Sequence, residues 1–171
     1  MSESLSVDLK ASLAWLFQDT SQLSTVADVA KLDYSAVLGG APANPAVDLV
    51  WHDERTVEAE DIDDLVLSAL PKSLFGQSLS FNFASVRALL LVNLATTAGQ
   101  DLVVGGAPGA PWEAPFGDAG DSLRLPADSC VLLVAKKEGW TVADGASDML
   151  RIENPGDQPV TYRVAIVGVS A

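Results

Sequence analysis

The chain is short of the residues that carry chemistry. Its 171 residues include one cysteine, Cys130, and one histidine, His52. A single cysteine excludes an intrachain disulfide. One histidine and one cysteine would leave a zinc site to rely on carboxylates, so no metal and no cofactor is expected. Cys130 lies in the apolar run Ser129–Ala135, where a buried small hydrophobe is the expectation. Positive charge is scarce as well. Ten Lys and Arg stand against 23 Asp and Glu, a net charge of −13. That balance repels phosphate backbones and argues against a nucleic-acid partner. No apolar run approaches the roughly 20 residues that span a bilayer, so no membrane partner is expected either. The opening MSESLSVDLK lacks the basic and then apolar pattern of a secretory signal, and synthesis in the cytoplasm is the expectation.

Hydrophobic residues are plentiful at 49%, and 13 Gly with 9 Pro punctuate them. This composition suits a folded core built from many short segments joined by turns. The stretch Phe81–Gly106 organises the rest. Val86, Ala88, Leu90 and Val92 alternate with Arg87, Leu89, Leu91 and Asn93, the period of two of a β-strand. With both faces largely apolar, this strand is expected to have neighbours on each side and cover above and below.

Before it, Val7, Leu9, Ala11, Leu13, Trp15 and Phe17 occupy alternate positions, and Ala30, Leu32, Tyr34, Ala36 and Leu38 repeat the pattern. A helix through Leu9, Leu13, Leu16 and Phe17 fits fewer positions. The pair predicts a long hairpin with a loop near Asp19–Asp28, which could also hold a helical turn through Leu23, Val26 and Ala27. Gly39–Pro45 then separates residues 1–46, an N-terminal arm or β-hairpin, from a body at 47–171. In the body, strands are expected at Leu49–Trp51, Arg55–Val57, Ile62–Leu67, Leu79–Phe83, Leu102–Val104, Ser122–Leu125, Cys130–Ala135, Trp140–Val142, Met149–Glu153 and Val160–Val169. Pro71–Ser73 and Gly76 mark loops, and a long loop runs from Ala107 to Asp121. Strands at this spacing, without βα alternation, predict an all-β fold: an antiparallel β-sandwich of jelly-roll kind.

Three polar clusters invite chemistry. Trp51-His52-Asp53-Glu54-Arg55 could serve acid–base work, yet a strand edge with a local ion pair explains it as well. Phe116-Gly117-Asp118-Ala119-Gly120-Asp121 resembles part of a calcium loop but lacks its further carboxylates, and turn chemistry accounts for it. The acidic run Glu58–Asp64 reads as a solvated segment. Of the aromatics, Trp112, Phe116 and Trp140 are the candidate contacts for an interface or a ligand. They would stack sugars if they clustered on an exposed face, and would be core anchors otherwise.

The body resembles a family of tailed-bacteriophage virion proteins, the small β-rich capsid decoration or head-associated proteins. The resemblance rests on an ordered series across about residues 47–171. His52-Asp53-Glu54-Arg55-Thr56 opens it, followed by Asp64-Leu65, Phe75-Gly76, Val86-Arg87-Ala88-Leu89-Leu90, Thr97-Ala98-Gly99 and Val104-Gly105-Gly106-Ala107. Phe116-Gly117-Asp118, Val131-Leu132-Leu133-Val134, Gly139-Trp140-Thr141-Val142, Asp148-Met149-Leu150-Arg151-Ile152, Val160-Thr161-Tyr162 and Val167-Gly168 complete it. The resemblance implies a non-enzymatic virion component made in the host cytoplasm, bound to the phage capsid or other virion proteins, and a homo-oligomer, with a trimer preferred. Residues 1–46 depart from the family pattern and are expected to grip a neighbouring subunit or the shell. The alternative is a carbohydrate- or cell-surface-binding module of a phage fibre or adhesion protein. An enzyme would need His52 beside two carboxylates in a pocket.

Overall fold

The structure is a computed structural model that describes residues 5–20, 25–41, 44–74 and 77–171. It divides into two compact units, Met1–Pro45 and Ala46–Ala171.

The first unit is a hairpin of two fifteen-residue strands, β1 (Ser6–Thr20) and β2 (Thr25–Gly39). They pair antiparallel without a slip, from Ser6 opposite Gly39 to Thr20 opposite Thr25. The alternation of apolar residues predicts these strands, but the expected loop over Asp19–Asp28 is too long. The ladder carries on through the polar residues near the turn, and the Thr25 hydroxyl donates to that of Thr20 at 3.4 Å. Leu23 of the suggested helical turn lies outside the described residues, whereas Val26 and Ala27 belong to β2. At the base, Gly39 and Gly40 have φ of +66° and +71°, a region that side chains disfavour. Their N–H groups donate to the carbonyls of Pro45 and Leu5. A Cβ at Gly40 would also come within 2.8 Å of the Ser6 hydroxyl oxygen. Glycine is what lets the chain leave the ladder there.

The second unit is a sandwich. In chain order its strands are β3 (Leu49–Val57), β4 (Asp61–Val66), β5 (Leu70–Leu74), β6 (Gln77–Phe81), β7 (Phe83–Asn93), β8 (Leu102–Gly105), β9 (Ser122–Leu125), β10 (Ser129–Val134), β11 (Trp140–Thr141), β12 (Met149–Asn154) and β13 (Val160–Ser170). One sheet has the order β10-β7-β13-β3, with β11 also paired to β7, and the other β4-β12-β8-β9. All ladders are antiparallel. Apart from the β8–β9 hairpin and the step from β10 to the short β11, the chain crosses from one sheet to the other at each step between their members. This is the connectivity of a jelly roll, and the described residues contain no helix.

Two local expectations are corrected. Leu49–Trp51 and Arg55–Val57 are not separate strands: β3 runs unbroken through the polar knot, because its full length pairs with β13. Pro71–Ser73 is not a loop but part of β5, which pairs with β6 alone. In a two-stranded ladder proline can sit on the open side and forfeit no hydrogen bond. Gly76 lies outside the described residues.

The core lies between the sheets. Trp51, Leu65, Leu89, Leu91, Leu102, Leu150, Ile152, Tyr162 and Ile166 are all nearly inaccessible to water. The strand β7 has neighbours on both sides, as its pattern predicts. Its cover on both faces is only partial, however: Leu89, Leu91 and Asn93 are buried, and so are Val86 and Ala88, while Leu90 is exposed and Val92 half-buried. Two buried amides shape the adjoining loops. Asn93 donates to the carbonyls of Gln100 and Leu125 and accepts from the Ala95 N–H. Asn154 donates to the carbonyls of Val57, Glu58 and Gln158 and accepts from the Gly156 N–H. Each replaces the missing ladder partners of a turning chain, which is what makes a buried amide tolerable. In β13 a slip in register falls between Val167 and Gly168. A Cβ at Gly168 would stand 2.0 Å from the Ser85 carbonyl oxygen, so only glycine permits this approach to β7.

Candidate functional site

The polar knot is divided by the pleat of β3. His52 and Glu54 are exposed, while Asp53 and Arg55 turn toward the sandwich interior and are half-buried. On the outer side, Glu54 accepts from Arg163 Nε at 2.7 Å, across the β3–β13 ladder. These residues border an open hollow of about 450 Å³ floored by Leu90, Val92 and Ala165. Of the two carboxylates that line the hollow with His52, Glu54 is held by a guanidinium and Asp53 is engaged by Arg55 and Lys72.

On the inner side the groups form a tie between the sheets. Arg55 donates from Nε and Nη2 to the two oxygens of Asp63, at 2.5 and 2.8 Å. The Tyr162 hydroxyl donates to Asp63 Oδ2 at 2.9 Å. Arg55 Nη1 and Lys72 Nζ reach opposite oxygens of Asp53, at 3.4 and 3.1 Å. The hydrogen bond to Asp63 is the main reason the Arg55 guanidinium holds its proton more firmly than usual; burial opposes it, and the charge of Asp63 adds to it. Burial, then the charge and hydrogen bond of Asp63, push the Tyr162 phenol well above its ordinary range. Burial also pushes the Asp53 carboxyl up, but Lys72 and Arg55 outweigh it, and Asp53 ends below its usual value. Arg55, Tyr162 and Asp53 are thereby each held in one protonation state at neutral pH, which suits a structural tie.

The acidic run is likewise more than a solvated segment. Asp63 belongs to this tie, and Asp64 takes two hydrogen bonds from Arg151 of the paired strand β12, at 2.9 and 2.8 Å. In the calcium-like loop the carboxylates serve the turn. Asp121 Oδ2 accepts from the Asp118 N–H, and Asp118 Oδ1 from the Ala119 N–H. No group of three His, Cys, Asp or Glu suited to a metal occurs among the described residues.

The expectation for Cys130 is overturned: the thiol is exposed. The strand β10 is the edge of its sheet, with Val131 and Leu133 packed on the core and Cys130 on the opposite face. It lies three strands from β3, a separation of about 14 Å, too far for a thiol–imidazole pair with His52. An aromatic disulfide reagent should therefore titrate one thiol in the folded protein within minutes, without denaturant. Protection until urea is added would contradict the exposure.

The three candidate aromatics meet only in part. Trp112 and Trp140 form an edge-to-face pair, 6.2 Å between ring centres at 88°. Trp112 is 2% exposed and donates its indole N–H to the Thr141 carbonyl at 3.0 Å. Phe116 and Trp140 are half-buried and pack on the core. Trp112 therefore has no open ring face on which a sugar could stack.

No family model and no curated protein matches this chain.

The surface suited to a partner lies instead on the hairpin. Register places Leu9, Ala11, Leu13, Trp15 and Phe17 of β1 on one face with Ala30, Leu32, Tyr34 and Ala36 of β2, and with Asp28 opposite Phe17 near the turn. Within this set Leu13, Trp15, Phe17, Leu32 and Tyr34 are exposed, Phe17 by 72%. The opposite face carries Asp8, Lys10, Ser12, Lys31, Asp33 and Ser35, but near the turn it presents exposed Leu16 and Val29. Trp15 is pinned by its indole N–H, which donates to Asp28 Oδ2 at 3.2 Å. Of the four tryptophans, read from sequence as core anchors, Trp15 is the exception. The signal for this surface was available: an unbroken apolar run at alternate positions, with Leu16 interrupting the polar side, in a segment set off by glycine and proline.

Proposed function

We propose that this protein is a non-enzymatic bacteriophage virion structural protein, a capsid decoration or head-associated subunit that stabilises the particle through its interfaces with other virion proteins. The observation that carries the reading is the hairpin. Two fifteen-residue strands display large apolar side chains to solvent. Soluble monomers rarely leave such a surface open, and it gains free energy when another protein covers it. The ordered motif series of residues 47–171 points to a virion protein, and the jelly roll is an architecture that capsid proteins use widely.

Antibody raised against the purified chain should detect it in density-banded phage particles released by cells that carry its gene. Its ratio to the major shell protein should be fixed from one preparation to the next. Presence in the lysate with absence from banded particles would overturn the reading.

A further inference from the structure

We infer that the apolar face of the β1–β2 hairpin is a self-association surface whose partner is the same face of a second copy of this chain. Two features select a second copy. The first is relief. Across the rungs of the hairpin a large side chain stands opposite a small one: Trp15 faces Ala30, and Tyr34 faces Ala11, with Leu13 and Leu32 level between them. A two-fold axis along the strands, lying between two such faces, sets β1 of one copy over β2 of the other at the same height. Trp15 then covers the second copy's Ala30, Tyr34 covers its Ala11, and Leu13 meets its Leu32. Each bump enters the hollow that the same sequence provides, the self-complementarity that an isologous contact requires.

The second feature is area. Leu13, Leu32 and Phe17 are 64%, 67% and 72% exposed, Trp15 43% and Tyr34 46%. At those fractions each offers on the order of 100 Å², so two faces together bury about 1,000 Å², where specific interfaces begin. The charges Asp8, Lys10, Lys31 and Asp33 lie on the other face; the contact face carries Asp28, opposite Phe17 near the turn, where it already accepts from the Trp15 indole N–H and stands at the margin of the contact. Both hairpins point the same way in this arrangement. The proposal is independent of the virion reading, since it concerns the mass of the purified chain.

The test is light scattering after size exclusion on the full chain, across a concentration series reaching about 100 μM. The wild type should run as a discrete oligomer. L13T/L32T replaces the central rung with a strand-favouring polar pair that can hydrogen-bond across the ladder, so the hairpin keeps its pairing. Four leucines per dimer contact are lost, and the dissociation constant should rise at least about a hundredfold. S35D, on the charged face opposite Lys10, should leave the mass unchanged. A monomeric wild type overturns the proposal. So does an oligomer that L13T/L32T leaves intact, or one that S35D disrupts equally. If banded particles lack the chain while its oligomer responds to L13T/L32T alone, the virion reading fails and this one stands.

Discussion

Trp51→Ala should lower the free energy of unfolding by about 4 kcal/mol, measured from urea transitions at equal protein concentration. The side chain is 1% exposed on the inner face of β3, the edge strand next to β13. Removing it deletes the largest apolar group that β3 sends into the core. The indole N–H also donates to the Pro71 carbonyl at 3.1 Å and so ties the β5–β6 hairpin to β3. Truncation leaves both a cavity and a carbonyl without its partner, and the two losses act together. Trp51→Phe separates them: it keeps most of the ring and loses the hydrogen bond, so about 1–2 kcal/mol is expected. Trp15→Ala supplies the contrast. Trp15 is exposed on the hairpin, and its loss should change the stability of the body by less than about 0.5 kcal/mol. A Trp51→Ala loss as small as that would mean that β3 is not fixed by its core face.

The contrast between these tryptophans shows where sequence reading succeeds and where it stops. Because the pleat sorts apolar from polar side chains locally, period-two alternation located the hairpin strands and most strands of the body, though not β5 with its Pro71 nor the unbroken length of β3. It could not locate Trp51 inside and Trp15 outside, since both sit in alternating apolar runs. Which run is covered depends on strands distant in the chain. Cys130 failed for the same reason. Its run is apolar at every position, and only the place of β10 at the sheet edge decides which side faces water. The polar knot looked like one cluster in sequence. The pleat sends His52 and Glu54 one way and Asp53 and Arg55 the other, a separation that the alternation rule contains. What no local rule contains is the partner of Arg55: Asp63 and Tyr162 come from β4 and β13, one in each sheet. The candidate contact surface was partly legible. The hairpin could be read as an arm, whereas the aromatics singled out in the body, Trp112 above all, proved to be committed to its interior.

Asp63→Ala should be the most damaging single change in that inter-sheet tie, at about 3 kcal/mol by urea denaturation. Asp63 accepts from Arg55 and Tyr162 together, so its loss strands a half-buried guanidinium and a buried phenol at once. Arg55 keeps access to water and to Asp53, which holds the cost below that of a fully enclosed ion. Tyr162→Phe removes one donor and should cost about 1 kcal/mol. In the double variant that cost should shrink toward zero, because the phenol no longer has its acceptor. Full additivity would show that the hydroxyl and the carboxylate act separately. The same tie sets an acid limit through Asp53. Its carboxyl lies below the ordinary 3.8 in the folded protein, held there by Lys72 and Arg55 against the opposing effect of burial. A depressed folded value means that the unfolded chain takes up the proton first as pH falls. The stabilisation is complete well above pH 3.8 and is lost as pH drops through the lower folded value. Asp53→Asn should thus narrow the stability gap to wild type as the solution is acidified from neutrality to about pH 3. A gap that stays constant over that range would separate Asp53 from the acid response and leave Lys72 and Arg55 acting on the other carboxylates of the sandwich.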